Sequence, residues 1–250
     1  MKRMRKILSY MRRAVEDYHM IEEGDKIAVG VSGGKDSVTL LLALKELQRF
    51  YPKKFELIGL TLDMGFEGFD ASVLAALCEE RAIPYIVEKT NFKEVIFDIR
   101  KESNPCSLCA KMRRGALNDL AKKHGCNKIA LGHHYDDVVE TFFLCLLYEG
   151  RIGCFSPVTH LTRADVYQIR PLIYAPEKEI RSIVKRMQFP IMHNPCPANG
   201  KTTRQDMKDM LNLMNKDNRG VKKRVFGALI RSGIDGWGLD KKINLKEYKS

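Results

Sequence analysis

Short apolar runs alternate with amphipathic stretches along most of this chain. Runs at 26–31, 55–63, 83–89, 127–134 and 166–174 have the length of strands, and their consecutive apolar residues suit strands covered on both faces. Helical spacing fills the intervals at 37–48, 69–82, 91–103 and 136–150, then continues at 176–187, 205–215 and 219–232. In the first helix Leu40, Leu41, Leu44 and Leu47 make the inner face. This alternation predicts an α/β fold, a parallel sheet with helices on both faces and helical additions at each end. The first 20 residues predict an amphipathic helix with Ile7, Met11, Ala14 and Tyr18 inward. The stretch 151–165 reads as irregular and 235–250 as a loosely packed tail.

The expected organisation follows. A basic helix (1–20) precedes an α/β unit (21–190) that carries a cysteine-bearing insertion at 89–113. A cysteine loop and helices (191–232) pack on that unit, and 233–250 form the tail. At 250 residues the chain can bury one good core. No run approaches the ~20 apolar residues of a membrane span. Its first 20 residues lack the features of a signal peptide. A cytoplasmic setting without membrane association is expected.

Residues 26–37, KIAVGVSGGKDS, are the centre of the pattern. A strand that breaks at Gly33-Gly34 and turns directly into a helix leaves free backbone N–H groups around a helix N-terminus, which is an anion site. Ser32, Gly33, Gly34, Lys35, Asp36 and Ser37 would cradle a phosphate: glycines for close approach, Lys35 for charge, serines for hydroxyls. Neither the GxxxxGK[ST] nor the GxGxxG spacing is present. Asp63, and the group His133, His134, Asp136 and Asp137, fall at the carboxyl ends of other strands, where open α/β sheets bind ligands. Such carboxylates serve magnesium or cap the next helix.

Seven cysteines in a reducing compartment are read as free thiols. Cys78, Cys126 and Cys145 sit in apolar patterns and are expected in the core. Cys106, Cys109 and Cys196 lie in polar, proline-containing segments and are candidates for chemistry. Three thiolates on two loops leave one metal position open, and His193 or Cys154 could complete a zinc site.

The charge balance is basic, 43 Lys and Arg against 31 Asp and Glu, a formal +12. Residues 1–20 hold six of the cations against two acids, and RGVKKR at 219–224 forms a second cluster. With no strongly apolar face beside them, these point to nucleic acid rather than a membrane surface.

SGGKDS resembles the PP-loop of the ATP pyrophosphatase superfamily, enzymes that adenylate a substrate and release pyrophosphate. With CSLC at 106–109, GHHYDDVVET at 132–141, IRPL at 169–172, NPCP at 194–197 and RQDMKDML at 204–211, residues 20–232 resemble the tRNA 2-thiocytidine synthetase family. The resemblance implies an adenine nucleotide alpha-hydrolase-like fold with ATP on residues 32–37. Further nucleotide contacts would come from Asp63, Gly132, His133, Asp136 and Arg170, with magnesium near Asp36, Asp136 and Asp137. It places a [4Fe–4S] cluster on Cys106, Cys109 and Cys196, whose open fourth iron would carry the transferred sulfur. Lys35, Asp36, Asp137 and the three cysteines would then be catalytic. Arg170, or Arg113 and Arg114, would meet phosphate or RNA. The implied partners are tRNA, a sulfur donor such as a cysteine desulfurase or free sulfide, and a second copy of the chain. The competing readings are a lysidine- or thiouridine-type relative, a thio-metabolite enzyme, and a non-catalytic zinc and nucleotide- or RNA-binding protein.

Overall fold

A computed structural model describes residues 4–100, 105–192, 195–196 and 203–239. Six strands form one sheet: β1 (Asp25–Gly30), β2 (Phe55–Asp63), β3 (Tyr85–Lys89), β4 (Lys128–Ala130), β5 (Val158–Leu161) and β6 (Val166–Ile169). Their order is β3-β2-β1-β4-β6-β5. Every pairing is parallel except β5 with β6. The chain moves outward from β1 to β2 and β3, then returns to place β4 on the other side of β1. That reversal makes the carboxyl ends of β1 and β4 the switch point, where a crevice opens.

Eight α-helices accompany the sheet among the described residues: α1 (Arg5–Asp17), α2 (Lys35–Leu47), α3 (Ser72–Glu80), α4 (Pro105–Lys123), α5 (Tyr135–Tyr148), α6 (Glu177–Met187), α7 (Thr203–Asp217) and α8 (Val221–Ser232). The larger apolar cluster joins α1, α2, α5, α6 and α8 to one face of the sheet. A smaller cluster, with Leu120 and Ala121 of α4 against Ile58, Leu60 and Ile129, covers the other face. Helices on both faces explain why the strands read as continuous apolar runs. No helix among the described residues is long and apolar enough to cross a membrane.

The basic first helix is an integral part of this core. Ile7, Leu8, Met11, Ala14 and Val15 of α1 are buried, and the helix packs on α2 and α6. Each buried aliphatic side chain contributes roughly 1.5–3 kcal/mol. A helix of this length is marginal alone in water, so packing holds it.

Several boundaries differ from the pattern, each for a local reason. β6 stops at Ile169 because Pro171 has no N–H for the ladder. β5, within the stretch read as irregular, is a four-residue edge strand whose residues are only partly covered, so its apolar signal is weak. Within the helix read over 91–103, Glu94–Ile99 form a π-type turn, with Ile96 buried and Ile99 66% exposed; 101–103 lie outside the described residues. The apolar side of the turn is covered at Ile96 and at Phe97, whose ring meets Phe66 edge-on at 5.9 Å between centroids.

The start of the tail is packed, not loose. Trp237 is fully buried and its indole N–H donates to the Phe155 carbonyl at 2.9 Å. Tyr18 donates its hydroxyl to the Trp237 carbonyl at 3.0 Å. A single tryptophan therefore ties the end of the described chain to α1.

Candidate functional site: the crevice above β1 and β4

The loop after β1 is held open by its own serines. Ser37 Oγ donates to the Gly34 carbonyl at 3.0 Å and accepts from the Ser32 N–H at 3.2 Å. Gly33 has φ +79, and its carbonyl accepts from the Met192 N–H at 3.0 Å. A Cβ on Gly33 would lie 2.6 Å from Met192 Cβ. Met192, four residues before Cys196, thus rests directly on the phosphate loop. Gly132 serves the opposite side: a Cβ there would meet the Asp36 and Ser37 backbone at 3.1 Å. Its missing side chain lets the first turn of α2 approach the end of β4.

At the exit of β4, His134 caps α5. Its Nδ1 accepts from the Asp137 N–H at 3.3 Å, while the Asp137 carboxylate accepts from the His134 N–H at 2.9 Å. An accepting Nδ1 leaves the ring proton on Nε2, which faces Asp36 Oδ1 at 3.7 Å. That Asp36 oxygen is buried and has no hydrogen-bond partner. Buried carboxylate oxygens are normally satisfied, so this one marks a place for a donor or a cation. His133 stacks near Phe155, 4.8 Å between centroids. Burial, aided by the Arg170 charge, lowers its pKa to about 4, so it is neutral near pH 7.

Lys35 bridges Asp36 at 2.8 Å and Glu177 at 3.1 Å. Glu177 begins α6 and also receives Lys208 at 2.8 Å and Arg181 at 2.9 Å. These donors outweigh its burial and hold its carboxyl well below the usual range. Asp136 accepts from the Glu177 N–H at 2.9 Å and from Lys222 at 3.0 Å. Lys222, read in the sequence as part of an RNA-facing cluster, is therefore turned inward as the partner of Asp136.

A cavity of about 400 Å3 draws these groups together with the cysteines. Lys35, Asp36, Asp137, Cys106, Cys109 and Cys196 all line it. Pro105 starts α4 with its missing N–H where none is needed, placing Cys106 and Cys109 on one face of the first turn. Burial raises the Cys109 pKa, and Arg113, one turn further on, opposes the rise. None of the seven cysteines forms a disulfide. Among the described residues, no three His, Cys, Asp or Glu side chains converge closely enough to hold one metal ion.

Other expected contacts sit elsewhere. The Asp63 carboxylate accepts from the Gly65 N–H at 2.9 Å, as a turn cap. Arg170 is buried, donates to the Ser156 carbonyl at 2.6 Å and Thr159 Oγ1 at 3.2 Å, and lies 5.0 Å over the Phe155 ring. Its two terminal nitrogens are engaged within the fold, its Nε is buried without a hydrogen-bond partner, and burial lowers its pKa to about 10. Cys154 is buried, with its thiol 3.4 Å from the Val138 carbonyl, and does not line the cavity. His193 lies outside the described residues.

Four side chains that line the cavity escaped the sequence pattern. Glu177 looks like an ordinary acid in a first helical turn, and Glu140 like one polar position in an apolar helix. Arg204 and Lys208 sit in RQDMKDML, where no role was assigned to either. Arg204 reaches Asp137 at 3.3 Å and Thr141 at 3.2 Å. Glu140 is 2% exposed, with one oxygen unpartnered. Burial and the Asp137 charge push its pKa to about 7.

Similarity to known proteins agrees with this arrangement. A family model described as the PP-loop domain matches residues 4–212. The chain is 42% identical over 231 residues to the tRNA-cytidine(32) 2-sulfurtransferase of Geobacter metallireducens, covering 91% of this chain and 90% of that protein. It is 40% identical to the enzyme of the same name from Teredinibacter turnerae, covering 92% of this chain and 77% of that one. Its structure resembles the U34-tRNA thiolase NcsA from Methanococcus maripaludis with its [4Fe-4S] cluster, with TM-score 0.72 and 26% identity over 87% of this chain and 75% of that one. Phosphate loop, thiol-lined cavity and likeness over nine-tenths of the sequence converge: the chain belongs to the PP-loop ATP pyrophosphatases and, within them, to the tRNA 2-thiocytidine synthetase family.

Proposed function

We propose that this protein is an ATP-dependent tRNA thiolase that converts a cytidine of tRNA to 2-thiocytidine, at position 32 as in the names of its relatives. The observation that carries this reading is the single cavity shared by Lys35 and Asp36 with Cys106, Cys109 and Cys196. An activating phosphate site and a sulfur site must act on the same carbon, and here they are neighbours.

ATP would lie with its phosphates on residues 32–37, where the loop amides and Lys35 stabilise charge developing on the leaving pyrophosphate. Asp36, through its unpartnered oxygen, is the first candidate for magnesium; Asp137 lines the same cavity. Asp136 is engaged by Lys222 and the α6 backbone, and it supports the site from behind. The cytidine C2 oxygen attacks the α-phosphate, giving an O-adenylated base. Adenylation is needed because a carbonyl oxygen is a poor leaving group and AMP a good one.

Three thiols around one cavity offer the ligands for a polynuclear cluster, and the similar U34-tRNA thiolase is described with a [4Fe-4S] cluster. A [4Fe–4S] cluster on the three cysteines would leave one iron without a protein ligand and supply the sulfur nucleophile. Arg113 favours the thiolate form that such ligation requires. Sulfide, or a cysteine desulfurase acting in the cytoplasm, would be the source of that sulfur.

The test is anaerobic purification followed by iron and sulfide analysis, then incubation with ATP, sulfide and unmodified tRNA. About four irons per chain and 2-thiocytidine in the digested tRNA are expected. Zinc without iron after anaerobic reconstitution, or pyrophosphate release without a thiolated nucleoside, would overturn the reading.

A further inference from the structure

A second cavity, about 980 Å3 in volume, lies on the other side of Glu177, which lines both. Four segments far apart in sequence build it: α1, the start of α5, the first turns of α6 with Tyr174 before them, and α8 with the residues preceding it. Eight of its lining side chains are Lys or Arg and three are acids. Each acid is already paired. Glu179 meets Lys6 at 3.3 Å, Asp136 meets Lys222, and Glu177 holds its own three cations. Lys178, Lys223 and Arg231 are exposed and have no ion-pair partner among the described residues. The floor is aromatic: Tyr135 packs on Phe226 at 4.6 Å, and Arg13 lies 5.0 Å over the Tyr174 ring.

We propose that this groove seats the phosphate backbone of the RNA substrate, outside the nucleotide that is modified. Cations on several elements around one trough match a rod of regularly spaced phosphates. A protein partner is a poorer match, because the centre of a protein interface is depleted of charge. The shared wall explains the geometry of delivery. The strand runs along the groove, and the target base crosses beside Glu177 and Asp136 into the smaller cavity, unstacked from its neighbours. This inference rests on the tRNA reading above, and it assigns the surface that the reading leaves open.

The test is filter binding of an unmodified tRNA transcript to the full protein over a range of salt concentrations. The triple variant K178E/K223E/R231E is compared with K122E/K123E, a reversal of exposed charge at the far end of α4. The triple variant should bind at least about tenfold more weakly near 0.1 M salt, with its log–log salt slope shallower by about two to three, one phosphate contact per residue. The α4 control should keep both values. Each single reversal should make the slope shallower by about one, a third of the change in the triple variant, which covers the case in which the triple variant does not fold. Wild-type affinity and slope in the triple variant overturn the groove. So does a variant that binds tRNA normally but loses turnover only with a protein sulfur donor. If the wild type thiolates tRNA, those results leave the proposed activity standing; if it neither binds nor thiolates tRNA, both fall together.

Discussion

Lys35 of the phosphate loop is held across the crevice by Glu177, 3.1 Å away, and the same carboxylate gathers Lys208 and Arg181. Three cations therefore share one largely buried anion at the point where nucleotide phosphates are expected. On the proposed reading, Glu177 supplies in the free protein the negative charge that a bound phosphate would bring.

Removing it leaves those cations repelling one another. E177A should destabilise the nucleotide-free protein by about 3 kcal/mol, the scale for breaking a buried pair by deleting one partner. Saturating ATP or pyrophosphate should recover part of that loss, because phosphate replaces the missing carboxylate. Urea unfolding with and without nucleotide reads both effects. An identical deficit in the two conditions would remove Glu177 from the nucleotide site.

Glu140 carries a pH signature of opposite sign to Glu177. Its folded pKa, about 7, lies above the ordinary 4.5. The folded state therefore favours the protonated form: the stabilisation is complete below pH 4.5 and is lost as pH rises through 7. E140Q is neutral throughout, so its stability relative to wild type should improve by about 2–3 kcal/mol between pH 5 and pH 8. Denaturant titrations at the two pH values measure this, and a difference that does not move with pH refutes the assignment.

The cysteines divide into two groups with separable phenotypes. C106A should lower bound iron and abolish 2-thiocytidine formation while ATP affinity stays within about threefold, since the phosphate loop is built from other residues. C154A empties a buried position beside Val138 and should cost about 1–2 kcal/mol of stability with the iron content retained. Iron analysis and nucleoside chromatography of both variants distinguish the groups. Loss of iron in C154A alone would reverse them.

Gly132 tests how tightly the two sides of the crevice are pressed together. A methyl group there meets the backbone of Asp36 and Ser37 at 3.1 Å, and backbone cannot rotate away as a side chain can. G132A should cost about 1–3 kcal/mol, the range for overpacking, and should weaken ATP binding at least about tenfold through displacement of the first turn of α2. Isothermal titration with ATP, set beside thermal unfolding, checks both expectations.

Much of this protein is written in local order. The apolar runs and the helical spacing predict the βαβαβ core, because each strand is buried on both faces and each helix on one, and burial imposes the period. SGGKDS predicts an anion loop for an equally local reason: glycines, a lysine and a helix start need no distant partner to make one. The proline-flanked cysteines stand out because thiols in polar segments have no packing reason to be there. Beyond the residues themselves, the family resemblance named the cluster and the substrate.

Tertiary structure decided what depends on chain reversal. The return of the chain past β1 sets β4 beside it, which brings the His134 cap onto Asp36. Met192 rests on Gly33, and Cys196 lines the same cavity as Cys106 and Cys109. Glu177, Glu140 and Lys222 each follow an unremarkable local pattern, and their roles exist only through partners supplied by other elements. Lys222 and Lys223 are neighbours of the same charge, yet one is paired with Asp136 and the other is exposed. Side-chain chemistry is a property of sequence, but the electrostatic environment that selects its use is created by packing.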